Sequence, residues 1–466
     1  MDRKTRQAHA YPAKRFFVDM LVRDIDLHDA ILDLLDNCVD GAMRSLKDGA
    51  EKEQAKPYKG FFAKIDFDHD QFSIKDNCGG IPIELAENYA FRMGRADPER
   101  DKDLATVGVY GIGMKRAVFK LGRQSNIKSQ TVEGGFSLSI PPEWLENDSD
   151  WDLTLTEDAQ ALDAPGTHIS VSQLRDGIPR VFANETDFER TLKTAISAYY
   201  GYIIEKGFKV FVKGEEVLPI TVSLIGNDFL AKESITPYVY EGNMDGVSVT
   251  ITVGLYRALP NDDEEESALQ GRPSTERAGW TIVCNDRVVL SADKTRVTGW
   301  GEATIPQYHT QFISIAGTVV LKSNDARKLP LTTTKRGIDG NSELYLSIKE
   351  FMREGLKIFT DFTNKWKKSS KELSIINTQL SAVNPETARS LIPDERWTNV
   401  VRGMGGKKYK PNLPLPKEDD PYRQVRFSRR VSEIAEVATY LFDDPAKPST
   451  DVGAKCFDDV LQKVRK

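Results

Sequence analysis

Asp33-Leu-Leu-Asp36-Asn37-Cys-Val-Asp40-Gly-Ala42 is the stretch on which the reading of this chain turns. Across Ile31–Arg44 the apolar residues Ile31, Leu34, Leu35, Cys38, Val39 and Ala42 recur at helical spacing and share one broad face. Asp33, Asp36, Asn37, Asp40 and Arg44 fall on the other, at separations of three, four and seven. Taken alone, such a stripe reads as a solvated helix face. Its three carboxylates repel one another, however, and a plain surface gains little from them. A magnesium–phosphate site gains much more. The amide oxygen of Asn37 suits the metal, and a neighbouring carboxylate can polarise an attacking water.

Three further motifs follow in order. Asp76-Asn-Cys-Gly79-Gly80-Ile81-Pro82 comes directly after an alternating strand pattern. It reads as a turn, or as a purine corner in which Asp76 accepts from an adenine amino group and glycine backbone approaches the ring. Gly108-Val-Tyr110-Gly111-Ile112-Gly113 leads into Met114–Leu121, a helical pattern stopped by Gly122. A glycine loop feeding a helix offers bare N–H donors to phosphate, and serves equally as a flexible turn. Lys115 in the first turn opposes the helix dipole, a cost that a neighbouring phosphate would remove. Gly166-Thr167-His-Ile-Ser-Val171 alternates as a strand, with Thr167 placed to bond Asp76 or a water beside it. The glycine spacing is not that of a dinucleotide-binding fold.

Composition narrows the class. The 466 residues are 39% apolar and 29% charged with a net charge of −6, which excludes histone-like affinity for nucleic acid over the whole molecule. Cys38, Cys78, Cys284 and Cys456 are far apart and form no paired-cysteine motif, so a reducing, cytoplasmic setting is expected. The N-terminal Met-Asp-Arg-Lys-Thr-Arg lacks an apolar segment behind its charges, and no apolar run is long enough for a bilayer, so no membrane partner is expected.

Three regions are read along the chain, and no repeats. Residues 1–180 mix helices with strands at Ala63–Phe67 and Phe72–Lys75, and Arg92–Val107 suits a mobile loop. Residues 181–368 open on a helix around Phe188–Ile204. Strands follow at Lys209–Lys213, Glu216–Leu218, Val247–Leu255 and Trp280–Cys284, then a long helix over Ser342–Lys367. Residues 369–466 carry helices at Lys371–Leu380, Val431–Phe442 and Cys456–Val464, with Gly403–Pro416 as linker or exposed loop.

As an ordered set, the four motifs resemble the GHKL superfamily of ATPases: DNA gyrase, the large heat-shock chaperones, histidine kinases and the mismatch-repair ATPases. The resemblance covers roughly the first 180 residues. It extends more loosely to Gly279-Trp-Thr-Ile-Val-Cys-Asn285-Asp-Arg287 and Leu329-Pro-Leu-Thr-Thr-Thr334-Lys335-Arg336. With Tyr110-Gly-Ile-Gly-Met-Lys115, these are most similar to the microrchidia (MORC) branch. The resemblance implies an α+β fold: a two-layer α/β sandwich ATPase domain at 1–180, a β-α transducer domain at 181–368 and a small helical C-terminal region with a basic linker at 369–466.

It also implies ATP and Mg2+ as ligands, slow ATP hydrolysis and an ATP-dependent homodimer. Carried over by position, Asp33 is the general base and Asn37 the metal ligand, while Asp76 reads adenine. Asp40, Gly80, Tyr110, Ile112, Met114 and Thr167 line the nucleotide, and Gly108, Gly111 and Gly113 cradle phosphates, with Lys115 in reach of them. Lys335 contacts the γ-phosphate, with Arg336 as the less favoured candidate. Two departures stand out: the base is Asp33 where the family usually has Glu, with Asp36 as fallback, and Cys78 replaces the first glycine of the adenine motif. Alternatives are a nucleotide-binding switch with little hydrolysis or a chaperone-like ATPase with protein partners. A histidine kinase is disfavoured, because His9 and His28 lie too close to the Asn37 helix for a separate phosphoacceptor domain. DNA or another nucleic acid is the preferred further partner. Lys407, Lys408, Lys410, Arg423, Arg426, Arg429 and Arg430 with Tyr409, Tyr422 and Phe427 make a locally basic, aromatic segment. The same segment reads equally as a solvated loop and helix face.

Overall fold

β1 (Phe62–Phe67) and β2 (Gln71–Asp76) pair antiparallel, with Ile65 opposite Ile74. The turn between them forms because Asp68 accepts the backbone N–H groups of Asp70 and Gln71. Alternation then sorts the faces: Ala63, Ile65 and Phe67 are buried, and Lys64 and Asp66 face water. The computed structural model describes residues 13–46, 55–93, 112–148, 150–259, 277–332, 335–366, 380–401, 405–416 and 425–465.

The first sheet runs β5-β4-β3-β6-β2-β1-β7-β8. Its other strands are β3 (Gly122–Gln130), β4 (Gly135–Ile140), β5 (Leu155–Glu157), β6 (Gly166–Leu174), β7 (Lys209–Val212) and β8 (Glu215–Glu216). The helices α1 (Lys14–Arg23), α2 (Leu27–Ser45), α3 (Gly113–Leu121) and α4 (Glu185–Tyr199) share one core with its inward side chains. This is the expected α/β sandwich. The layer pair extends past residue 180. β7 lies parallel to β1, and Phe188, Leu192, Ile196 and Tyr200 sit in the same core. Residues 185–217 therefore build on the first sheet.

A second sheet begins at Leu224. Its main path is β13-β12-β14-β11-β10-β17-β16, and β9 (Leu224–Gly226) joins β11 and β15 (Ser381–Val383). The path comprises β10 (Tyr238–Met244), β11 (Val247–Leu255), β12 (Gly279–Cys284), β13 (Arg287–Asp293), β14 (Ile315–Lys322), β16 (Thr398–Asn399) and β17 (Lys407–Tyr409). A long helix, α6 (Glu343–Trp366), lays Tyr345, Ile348, Met352, Leu356, Phe359 and Phe362 on this sheet. A short helix, α5 (Gly201–Glu205), follows α4 directly.

Part of the expected linker Gly403–Pro416 is instead strand. β17 pairs with β10, and Tyr409 is buried with its hydroxyl 2.9 Å from that of Thr236. A three-residue Lys-Lys-Tyr strand has too short a period to show in sequence. Both sheets lie in one compact unit, residues 1–416, and residues 417–466 form a second. The second unit, taken by itself, is a helical pair, α7 (Val431–Phe442) and α8 (Ser449–Val464). Its last helix starts at Ser449 rather than Cys456. The helix expected over Lys371–Leu380 lies outside the described residues but for its final position.

Candidate functional site

The polar stripe of α2 is not a solvated face. Asp33, Asp36 and Asp40 are 4%, 1% and 5% exposed, whereas Asn37 and Arg44 open to solvent. Buried carboxylates persist only when cations and donors reach them. Asp36 receives three: the Tyr200 hydroxyl at 2.6 Å, Arg287 Nε at 2.9 Å and Lys335 Nζ at 2.8 Å. Burial by itself would raise its pKa, but Lys335 and Arg287 outweigh burial and hold it at about 2. Lys335 is likewise kept charged. Burial works against its ammonium, and Asp36, Asp33 and Asp40 override that and raise its pKa.

Both cations on Asp36 come from the second-sheet side of the molecule. Arg287 is delivered by the β12–β13 hairpin, in which Cys284 faces Arg287 across Asn285-Asp286. Asn285 and Asp286 have φ of 46° and 67°, the left-handed pair that a two-residue hairpin of this hand requires and that Asn and Asp tolerate. The Asn285 side chain ties the tip to Ser323 through two bonds of 3.0 Å. Asp286 accepts from Tyr58 at 3.0 Å and pairs with Lys206 at 2.7 Å, so the tip grips the first layer at two points.

Asp33 lies one turn before Asn37 and faces the start of α3. Its Oδ2 receives Arg116 Nη2 at 2.5 Å, and its Oδ1 is 3.9 Å from Lys335 Nζ. A Cβ on Gly113 would sit 3.5 Å from this carboxyl, which puts the α3 N-terminus against the base candidate. Burial, the largest influence, raises the Asp33 pKa despite Lys335 and Arg116. A carboxylate lifted in this way is a better proton acceptor than one in water. Asp36 is the poorer candidate base. All its geometry serves the ion pairs, and its pKa is driven the wrong way.

The Asp76 corner is assembled by backbone fit. Asp76 Oδ1 accepts the N–H of Cys78 at 2.8 Å and of Thr167 at 3.2 Å. The expected Thr167 bond to Asp76 therefore comes from its backbone, and its hydroxyl stands 3.5 Å from that of Ser129. Burial raises the Asp76 pKa against these donors. Gly80 has φ of +74°, and a Cβ there would lie 2.0 Å from the Gln130 carbonyl oxygen. The chain's own strand demands this glycine. Gly41 of α2 is needed for the same kind of reason: its Cβ would meet the Cys78 carbonyl oxygen at 2.7 Å, so α2 presses on the Asp76 corner. Cys78 is buried, its carbonyl accepts from Ser45 at 3.3 Å, and its thiol lies 3.8 Å from the Phe62 carbonyl oxygen.

The remaining expectations fall unevenly. Gly108, Tyr110 and Gly111 lie outside the described residues, as does Arg92–Val107 beyond Met93. Ile112 precedes α3, and Gly113, Met114 and Lys115 form its first turn. Lys115 places its ammonium 2.9 Å from the Ala90 carbonyl, so in this structure it ties α3 to the segment before residue 94. Arg336 pairs with Asp29 and stacks 4.8 Å from the Tyr199 ring, well along α2 from Asp36, so of the two neighbours it is Lys335 that lies beside Asp33 and Asp36. Arg116 and Tyr200 were missed in sequence. The basic first turn of α3 was the available signal, and it was given wholly to Lys115.

Among the described residues, no group of three or more His, Cys, Asp or Glu side chains is arranged to hold a metal by itself. The solvent-open Asn37 fits a magnesium ion that brings its other ligands on phosphate and water. No helix among the described residues is long and apolar enough to cross a membrane. Residues 25–172 match the family described as histidine kinase-, DNA gyrase B- and HSP90-like ATPase. They form a GHKL-type ATPase domain, and that class binds ATP. A search of curated proteins finds no match to this chain.

Proposed function

We propose that this chain is a magnesium-dependent ATPase of the microrchidia-like kind, working as an ATP-gated homodimeric clamp on DNA or a protein complex in genome maintenance or defence. The observation that carries the reading is Lys335, 2.8 Å from Asp36 and 3.9 Å from Asp33. A cation from the second-sheet side is thus already seated beside the proposed water-activating base. The second sheet with α6 acts as transducer, because any movement of Lys335 or of the Arg287 hairpin is felt at α2. Asp76 and Thr167 read adenine, Asn37 holds magnesium, and Asp40, Gly80, Tyr110, Ile112 and Met114 complete the nucleotide's surroundings. Gly108, Gly111 and Gly113 cradle the phosphates, with Lys115 adjacent.

Slow turnover fits Asp33 in particular, since a guanidinium occupies one of its oxygens. The same pair favours the second reading, a nucleotide switch with little hydrolysis. The nucleic-acid contact narrows to Arg426, Arg429 and Arg430 beside Phe427, all exposed in the C-terminal unit. Arg423 and Tyr422 lie outside the described residues. Lys408 and Lys410 pair with Glu354, and Lys407 pairs with Glu241 while lying 4.3 Å over the Trp397 ring. Those three lysines serve the second sheet.

Single-turnover phosphate release separates the two readings. Wild type is expected to release phosphate, and Asp33→Asn to bind ATP normally while losing about 10²–10⁴ in rate. Bound ATP with no release from wild type selects the switch. Wild-type turnover by Asp33→Asn removes Asp33 from the base role.

A further inference from the structure

We infer that Arg116 is a terminal-phosphate ligand of this ATP site, parked on Asp33 until nucleotide arrives. The inference rests on the ATP-binding reading and assigns a residue that the glycine motif and Lys335 do not account for. Four observations carry it. Arg116 is the fourth residue of α3 and closes its first turn, its N–H bonding Ile112 O at 2.9 Å. Its Nη2 is 2.5 Å from Asp33 Oδ2. Its Nε is buried and has no hydrogen-bond partner among the described residues, so the guanidinium fork is only partly used. Lys335 stands on the other oxygen of the same carboxyl, at 3.9 Å.

A guanidinium on Oδ2 holds that carboxylate's proton affinity down and crowds one of its two oxygens. Asp33 is therefore a stronger base once Arg116 has moved to a competing anion. Phosphate is the strongest candidate, because an arginine fork binds it through two parallel hydrogen bonds and would then employ its idle Nε. The phosphate within reach is the one nearest Asp33 and Lys335, which is the terminal one. Arg116 thus couples two events: recognition of ATP over ADP, and strengthening of the base when there is something to hydrolyse. Asp33, one methylene shorter than Glu, leaves the room that this parked guanidinium fills.

Calorimetric titration of wild type, Arg116→Gln and Arg116→Lys with Mg-ATP and Mg-ADP tests this. Arg116→Gln is expected to bind ATP about 10- to 100-fold more weakly, the range for loss of a charged hydrogen bond, while its ADP affinity stays within about threefold. Arg116→Lys keeps a charge against Asp33 but lacks the fork, and should show a smaller fall in the ATP-to-ADP preference. Equal losses for both nucleotides, or no loss for either, overturns the inference. If Arg116→Gln does not fold, an unchanged preference in folded Arg116→Lys overturns it. Failure of wild type to bind either nucleotide is a different result and removes the ATP site itself.

Discussion

Asp76→Asn is expected to lose ATP binding by roughly a hundredfold or more, with the fold intact. The carboxyl is buried, and its Oδ1 is already engaged by the N–H groups of Cys78 and Thr167. An amide has one acceptor and one donor end. If its oxygen stays on the two backbone donors, its NH₂ group is aimed at the adenine amino group, donor against donor. If it turns round, it leaves those backbone donors unpaired. Either way a buried polar group is orphaned, at about 1–3 kcal/mol, and the purine's own hydrogen bond is lost as well. Titration calorimetry on a variant with an unchanged melting curve is the check. Wild-type affinity would show that Asp76 only shapes its turn.

Asp36→Ala is expected to be the most destabilising single change in the site, by about 3–5 kcal/mol. It takes the shared carboxylate from Arg287 and Lys335, both buried, and leaves the Tyr200 hydroxyl to the Leu32 carbonyl at 2.7 Å. Chemical denaturation should show the lower midpoint. Loss of less than about 1 kcal/mol would mean the ion pairs only break even with water. The network also sets an acid limit. The folded pKa of about 2 lies below the ordinary aspartate value of 3.8, so the stabilisation is present above about pH 4 and is lost as pH falls from about 4 to about 2. Wild type should lose about 2 kcal/mol over that window relative to Asp36→Asn, which has nothing to titrate there. Parallel acid curves for the two proteins would contradict this.

How much was legible in sequence depended on period and locality. β11 appears at Val247–Leu255 as read, because nine residues of β-branched alternation carry a clear signal. α2 was legible as a helix from its apolar face, yet its polar face was ambiguous until the partners came into view. Those partners are Arg116, Arg287 and Lys335, which lie 83, 251 and 299 residues away along the chain. No local pattern announces such pairings. The order of the four motifs showed that α2 matters, and Asn285-Asp286 was readable as a turn. What that turn presents, an arginine driven into the first layer, comes only from packing. The lysines at 407, 408 and 410 read equally as a basic patch or a solvated face, and the sequence did not show that they pair with Glu354 and Glu241 on neighbouring elements.

The measurement that bears most directly on the whole account is a calorimetric titration of the wild-type chain with ATP, with and without magnesium. Saturable heat at one site per chain, strengthened by magnesium, is the expected result. No heat at protein concentrations of about 100 μM, where a Kd tighter than about 1 mM would register, would contradict it.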